Sequence, residues 1–441
     1  MAKSTVRSNR KSPYKPVHRI EVFIWNRLVG AVALDPRLGY YVFAFDPKFR
    51  KTGMNLSPLR MSVQAPDDVF VFTDLPVATY KRLPALLADA LPDDFGNALI
   101  NRYMADQGIP PENITALDRL AYMGTRAMGA LSFKPGRGPR RLEPTAVSMG
   151  QLVSEARKAV SGHWGDDHET SAALRSIIDV GTSAGGARAK AVVAWNPDTD
   201  EMRSGQLDAP PGFEHWLLKF DGMGFDSELG ASQDYGRIEY AYHLMARDAG
   251  IAMTDCRLLL ENGRAHFMTR RFDRDGAGTR HHVQTLCAMS HLDYKLKGVN
   301  AYSQLFLTIQ ALGLGYEAME EAFRRMVFNI MARNCDDHSK NFAFRLKEGQ
   351  AWELAPAYDV TFAHNPQGEW THQHLMSANG KFKDFTVEDL LAEARRFGVG
   401  TAGRVIGEVA AAVRNWPGYA AKAGLGVDQV GKIGGLHLVM G

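Results

Sequence analysis

Cysteine is scarce in this chain: Cys256, Cys287 and Cys335 are the three in 441 residues, and no two form a CxxC pair. That excludes a zinc ribbon and a disulfide framework and fits a reducing compartment. No apolar run approaches the roughly 20 residues of a membrane span. The N-terminus lacks the continuous apolar core of a secretory signal, so a cytoplasmic protein without a membrane role is expected. An excess of one charge is missing too, with 52 Lys and Arg against 49 Asp and Glu; a chain that lives on nucleic acid is far more basic. There is no internal repeat, no low-complexity tract and no convincing helix-turn-helix. The familiar phosphate loops are absent: the glycine-rich stretch Gly181 to Lys190 has neither a Gly-Lys-Ser/Thr ending nor the G-x-G-x-x-G pattern.

What is present suits a globular protein of two or three folding units, 45% hydrophobic and 23% charged. Residues 1–19 form a basic tail with Lys3, Arg7, Arg10, Lys11, Lys15 and Arg19 and no acidic residue, expected as a solvated, flexible end. Alternation from Ile20 to Leu34 around a turn at Asn26-Arg27, repeated at Tyr40 to Phe45, predicts a small antiparallel sheet. Helical spacing follows at Leu83 to Leu91 and Phe95 to Gln107. Gly124 to Phe133 reads as a turn into a short strand, and the Pro- and Gly-rich segment Lys134 to Thr145 as a linker. The expected units are therefore 20–145, 146–272 and 273–441.

One stretch carries most of the chemistry. Asp336 and Asn341 stand five positions apart, the spacing of base and metal ligand in a phosphoryl-transfer loop, and Asp359 adds a second hard oxygen ligand for Mg²⁺. Met319, Phe323, Met326, Val327, Ile330 and Met331 mark one face of a helix that delivers the chain to Asn334. Phe342 to Leu346, a turn, and Ala351 to Leu354 predict a hairpin that returns Asp359 towards Asn341. Upstream, Lys219 interrupts the apolar run Trp216 to Phe220, where an unpaired ammonium is unfavourable. Glu239, in the first turns of a helix from about Tyr235, is its candidate partner, as in kinases. Cys256 to Leu260 and His266 to Phe272 form a hairpin around Glu261-Asn262-Gly263.

Asp336 would accept the substrate hydroxyl, Asn341 and Asp359 would hold Mg²⁺, and Lys340 would offset charge on the transferred group. His338 is expected as a structural hydrogen-bonder, and Asp337 as exposed or a loop cap. Other readings stay open on these residues alone. The glycine loop can be a plain turn; Lys219 can be an edge-strand lysine reaching water. Asp336-Asp337-His338 can be a metal-hydrolase fragment, with His364, His372 and His374 as further ligands.

Taken in order, these motifs resemble the HipA-type serine/threonine kinase toxins of bacterial toxin-antitoxin modules. The resemblance runs from about Ile20 onward. It rests on Leu91-Pro92-Asp93-Asp94-Phe95-Gly96, Gly124 to Phe133, Ser183 to Lys190, Leu218-Lys219, Arg271-Phe272-Asp273-Arg274, Asp336 to Phe342, Tyr358-Asp359 and Leu375 to Lys381. It implies an α/β (α+β) fold: a small N-terminal α/β subdomain and a two-lobed kinase-like domain related to the phosphoinositide 3-kinase group, with a mainly helical C-terminal lobe. It further implies Asp336 as catalytic base, Asn341 and Asp359 as Mg²⁺ ligands, and ATP contacts from Lys219, Gly185, Gly186, Ala187, Glu239, Arg270, Phe272, His338 and Lys340. Autophosphorylation is implied at Ser183, with Thr182 the alternative; Ala184 replaces a second serine. The implied partners are a helix-turn-helix, HipB-like antitoxin that carries the DNA contacts and a protein substrate, an aminoacyl-tRNA synthetase. A small-molecule phosphotransferase and a non-catalytic corepressor are the competing functions.

Overall fold

The computed structural model describes residues 14–92, 94–139, 189–206, 208–221, 225–226, 230–231, 234–276 and 278–440. The basic tail before residue 14 and the glycine loop with Thr182, Ser183, Gly185, Gly186 and Ala187 lie outside the described residues.

The N-terminal unit is an antiparallel sheet in the order β4-β3-β2-β1-β5, with β1 Arg19–Ile24, β2 Arg27–Asp35, β3 Tyr40–Phe45, β4 Val69–Phe70 and β5 Leu131–Lys134. Alternation works as the sequence predicts: Ile20, Val22 and Ile24 are all buried on one face. The β1–β2 turn falls at Trp25-Asn26, one residue earlier than expected, and both have positive φ. That conformation suits a tight hairpin but not a bulky residue; the indole nitrogen of Trp25, 2.6 Å from the carbonyl of Arg280, helps to hold it. The helix expected over Leu83 to Leu91 shrinks to one turn, Ala85–Ala88. Pro84 sets its start, and Asp89, the C-cap with helical backbone, accepts through its carboxylate from the backbone and hydroxyl of Thr285 at 2.7 and 2.8 Å.

The second sheet, β11-β12-β8-β6-β7, is also antiparallel. Its strands are β6 Lys190–Trp195, β7 Met202–Ser204, β8 Glu214–Lys219, β11 Cys256–Glu261 and β12 Arg264–Arg270, with a two-residue ladder, β9 Phe225–Asp226 and β10 Gly230–Ala231, between β8 and the helix Tyr235–Asp248. Beyond it come β13 His282–Thr285, β14 Asn300–Ala301, β15 Ala343–Leu346, β16 Trp352–Leu354 and β17 Met376–Ser377, set among helices that include Tyr302–Ala311, Gly315–Met331, Val387–Phe397 and Ala402–Arg414.

Two hydrophobic cores hold this together. One joins the N-terminal sheet to Ala191, Val193, Trp216 and Leu218 of the second sheet. The other packs Tyr242 and Met245 of Tyr235–Asp248 against Phe323, Val327, Val405 and Val409. The helix Tyr235–Asp248, inserted in the chain between β8 and β11, thus lies against β11 and β12 of the second sheet on one side and joins the helical core on the other. A buried polar staple fixes the N-terminal unit: Asp273 accepts from Arg271, Arg274 and the backbone N–H of Gly129, all within 2.9 Å. Burial would raise that carboxyl, but the guanidiniums hold it well below the usual range. Among the described residues no helix is long and apolar enough to cross a membrane.

Candidate active site

Lys219, at the end of β8, projects into the cleft and pairs with both Glu239 and Asp359. Its side chain is 12% exposed and that of Glu239 only 3%, so the pair is nearly dry. Burial alone would lower the ammonium, but Asp359 and Glu239 outweigh it and raise its pKa. The reciprocal effect holds Asp359 in its carboxylate form against burial, with Lys190 contributing. Backbone geometry makes this possible. Asp221 caps the helix Tyr235–Asp248 by accepting from the N–H groups of Asp234 and Tyr235 at 3.1 and 3.0 Å. Gly236 lets that helix lie against β12, since a Cβ there would sit 1.9 Å from the carbonyl oxygen of Ala265.

The catalytic-type loop leaves the helix Gly315–Met331, whose faces carrying Met319, Phe323, Met326, Val327, Ile330 and Met331 are buried as expected. Burial then alternates along Cys335 to Lys340: Cys335, Asp337 and Ser339 point inward, while Asp336, His338 and Lys340 reach the surface side. Asp336 is half-exposed and 3.8 Å from His338 Nε2. Asn341 donates through Nδ2 to the Asp336 carbonyl at 2.7 Å, which leaves its side-chain oxygen as an acceptor. The hairpin β15–β16 returns the chain, and Asp359 arrives in the left-handed region at φ 53°. Aspartate tolerates that conformation better than most residues, and here it turns the carboxylate onto Lys219.

Asp337 contradicts its expectation. It is 1% exposed, neither at the surface nor capping a turn. The reason is a ready-made set of donors, Tyr302, His374 and the backbone of Leu375 and Met376. His338 differs as well: its Nδ1 has no hydrogen-bond partner, and its ring meets Tyr294 edge-on at 5.2 Å. Lys340 lies over the Tyr294 ring at 5.0 Å. Phe272 packs 5.6 Å from Tyr358, beside Asp359. Arg270 stands apart. It is three residues along β12 from Phe267, the cross-strand neighbour of Lys219, hence on the opposite face, and it pairs with Glu214 and Asp255. The hydrolase ligands do not assemble around Asp336: His364 and His374 both approach Cys335 at 3.6 Å, and His372 reaches the carbonyl of Gly368.

The residue reading missed Lys190. It lies directly opposite Lys219 in the β6–β8 register and is 2% exposed. Directly opposed residues share a face, so two ammonium groups border the same cleft. A lysine ending a glycine-rich loop and opening a buried strand was the available signal.

A buried strand lysine paired to a helix glutamate, facing a loop with a half-exposed aspartate and a metal-type Asn and Asp, defines a kinase-like two-lobed α/β protein. Comparison with known proteins places it further. Residues 20–134 match the family model described as the HipA N-terminal domain, and residues 182–416, more than half of the chain, match the HipA-like C-terminal domain. The chain belongs to the HipA family. The HipA of Shewanella oneidensis MR-1, solved with HipB and its operator DNA as a toxin-antitoxin complex, is similar in fold, with a TM-score of 0.64 and 14% identity over 94% of this chain and 95% of that one. A weaker likeness, to the Helicobacter pylori proinflammatory kinase CtkA, has a TM-score of 0.33 and 11% identity, covers 50% of this chain and 87% of that one, and carries no weight here. No curated protein sequence matches the chain.

Proposed function

We propose that this protein is an ATP- and Mg²⁺-dependent protein serine/threonine kinase that acts as the toxin of a toxin-antitoxin module. The observation that carries the proposal is the double pairing of Lys219 with Glu239 and Asp359 across the cleft. A structural ion pair needs one partner; a lysine held between a helix carboxylate and a left-handed aspartate, beside a second lysine, is arranged for phosphate. In this role Lys219 and Lys190 bind the ATP phosphates, Glu239 orients Lys219, and the glycine loop would offer backbone N–H groups to them.

Asn341 and Asp359 supply hard oxygen donors that fit Mg²⁺. Such an ion would be completed by phosphate oxygens and water. When bound, the ion neutralises phosphate charge and orients the γ-phosphoryl group. The acceptor is a serine or threonine hydroxyl. Asp336 takes its proton as the new O–P bond forms, while the bond to the leaving ADP oxygen breaks. The half-exposed carboxylate of Asp336 supports this, because an acceptor on another protein must reach it.

The partner is a HipB-like antitoxin, through which contacts to DNA are made, as supported by the likeness to the Shewanella HipA. The substrate is a translation enzyme of the aminoacyl-tRNA synthetase class. Self-inactivation follows from phosphate on Ser183 or Thr182: roughly −2 charge on that loop competes with ATP for the two lysines. The test is labelling of a cell extract with ATP by this protein and by Asp336→Gln. Specific serine labelling is expected only with the former, together with growth arrest on expression. Labelling that survives the substitution overturns the role of Asp336, and transfer to metabolites instead of proteins overturns the substrate class. Phosphopeptide mapping after ATP incubation is expected to find phosphate on Ser183 or Thr182.

A further inference from the structure

We infer that Asp337 is the positioning residue of the catalytic loop, with His374 as its buried hydrogen-bond partner: the pair anchors the loop inward so that Asp336 faces the acceptor. This rests on the kinase reading above. Two aspartates stand side by side in this loop, and an extended segment turns adjacent side chains to opposite faces, so the loop must select which one is buried. The geometry makes the selection. Asp337 Oδ2 accepts from Tyr302 at 2.6 Å and from His374 Nδ1 at 2.8 Å. Its Oδ1 accepts from the backbone N–H of Leu375 at 2.8 Å, with that of Met376 further off at 3.4 Å. Both Asp337 and His374 are fully buried.

These donors come from two separate parts of the chain. Tyr302 opens the helix Tyr302–Ala311 and is itself held by Asn329 of the helix Gly315–Met331 at 3.0 Å. Leu375 and Met376 lead into β17, which pairs with β14. The next inward residue, Ser339, donates to the carbonyl of Leu292 at 2.8 Å, a second anchor. Moving Asp336 out of line therefore means detaching a buried carboxylate from Tyr302 and from the segment His374 to Met376. That is strongly unfavourable where both side chains are fully buried. Asp337 touches no reacting atom; it acts through the backbone it shares with Asp336.

The experiment compares wild type, Asp337→Asn, His374→Gln and Tyr302→Phe. Asparagine keeps one acceptor for the Leu375 N–H but removes the charge. Phosphoryl transfer to the acceptor is expected to lose about 10²-fold in kcat, the scale of a misplacement near 1 Å, with KM for ATP within about twofold because Lys219 and Asp359 are untouched. His374→Gln in the Asp337→Asn background should add little, since the two act as a unit. Tyr302→Phe keeps the charge and removes one donor, and should lose kcat by a smaller factor, so a poorly folding Asp337→Asn does not leave the question undecided. Hydrogen exchange of the Leu375 and Met376 amides should accelerate in Asp337→Asn whether or not any acceptor is phosphorylated. A folded Asp337→Asn with wild-type kcat, or unchanged amide exchange, overturns the inference. A wild-type protein that transfers no phosphate overturns the kinase reading instead, and amide exchange still decides whether Asp337 holds the loop.

Discussion

Replacing Lys219 by methionine probes the site in a way that separates charge from shape. Methionine fills most of the same volume, so the change is electrostatic. It strands Glu239, whose side chain is 3% exposed, while Asp359, 24% exposed, can regain water. Breaking a buried pair by removing one partner destabilises by roughly 3–5 kcal/mol. Because one of the two carboxylates is rehydrated, the lower end applies, about 3 kcal/mol. For a unit of this size that is a fall in Tm of roughly 6–12 °C, little changed by salt because the site is screened from it. Lys219→Met/Glu239→Gln removes the stranded charge and should regain about 1–2 kcal/mol over the single lysine variant, while phosphoryl transfer stays lost in both. The measurement is a thermal melt of wild type, both single variants and the double, beside an ATP-transfer assay. A double variant that loses the full sum of the singles, or a Lys219→Met protein that melts with wild type, would refute the coupling of Lys219 to Glu239.

Gly236→Ala places a Cβ within 1.9 Å of the Ala265 oxygen; the helix must lift off β12, with an expected destabilisation of about 1–3 kcal/mol and a drop in transfer as Glu239 leaves Lys219, read by calorimetry and kinetics. Burial would lower the His374 pKa, but Cys335 and Asp337 outweigh it and raise it to about 10. The folded value exceeds the ordinary value near 6.5, so the stability this pairing contributes is full below about pH 6.5 and is lost as pH rises towards 10. Urea midpoints should fall between pH 7 and pH 10 more in wild type than in His374→Gln. Asp273→Ala leaves Arg271 and Arg274 buried without their carboxylate; a loss of about 3–5 kcal/mol is expected, with limited proteolysis reporting release of the N-terminal unit.

Much of the site was legible in the residues because it depends on local spacing. An ammonium inside an apolar strand demands a carboxylate, and the first turns of the next amphipathic helix offered Glu239. The five-residue interval from Asp336 to Asn341 is a motif spacing, and the apolar helix before it and the hairpin after it are patterns of period 3.6 and two. The face of each strand and helix follows from those periods, as Ile20, Val22 and Ile24 or Met319 to Met331 illustrate. Arg270 marks the limit of a motif without a face: its place on β12 turns it from Lys219 and towards Glu214 and Asp255.

The sequence by itself determined the elements, their buried faces and the residue types available for phosphate and metal. Tertiary structure decided which of them meet. Asp359 lies 140 residues from Lys219 in the chain and reaches it only through the return hairpin and a left-handed backbone. Lys190 became part of the site through strand register, and the carboxylate of Asp89 found its donors in Thr285, 196 residues further on. Above all, local spacing singled out Asp336 but did not say that Asp337 is the buried one. Donors from a tyrosine, a histidine and two backbone amides, brought from distant parts of the chain, bury one carboxylate and leave its neighbour half-exposed, because a charge leaves water only where partners already wait for it.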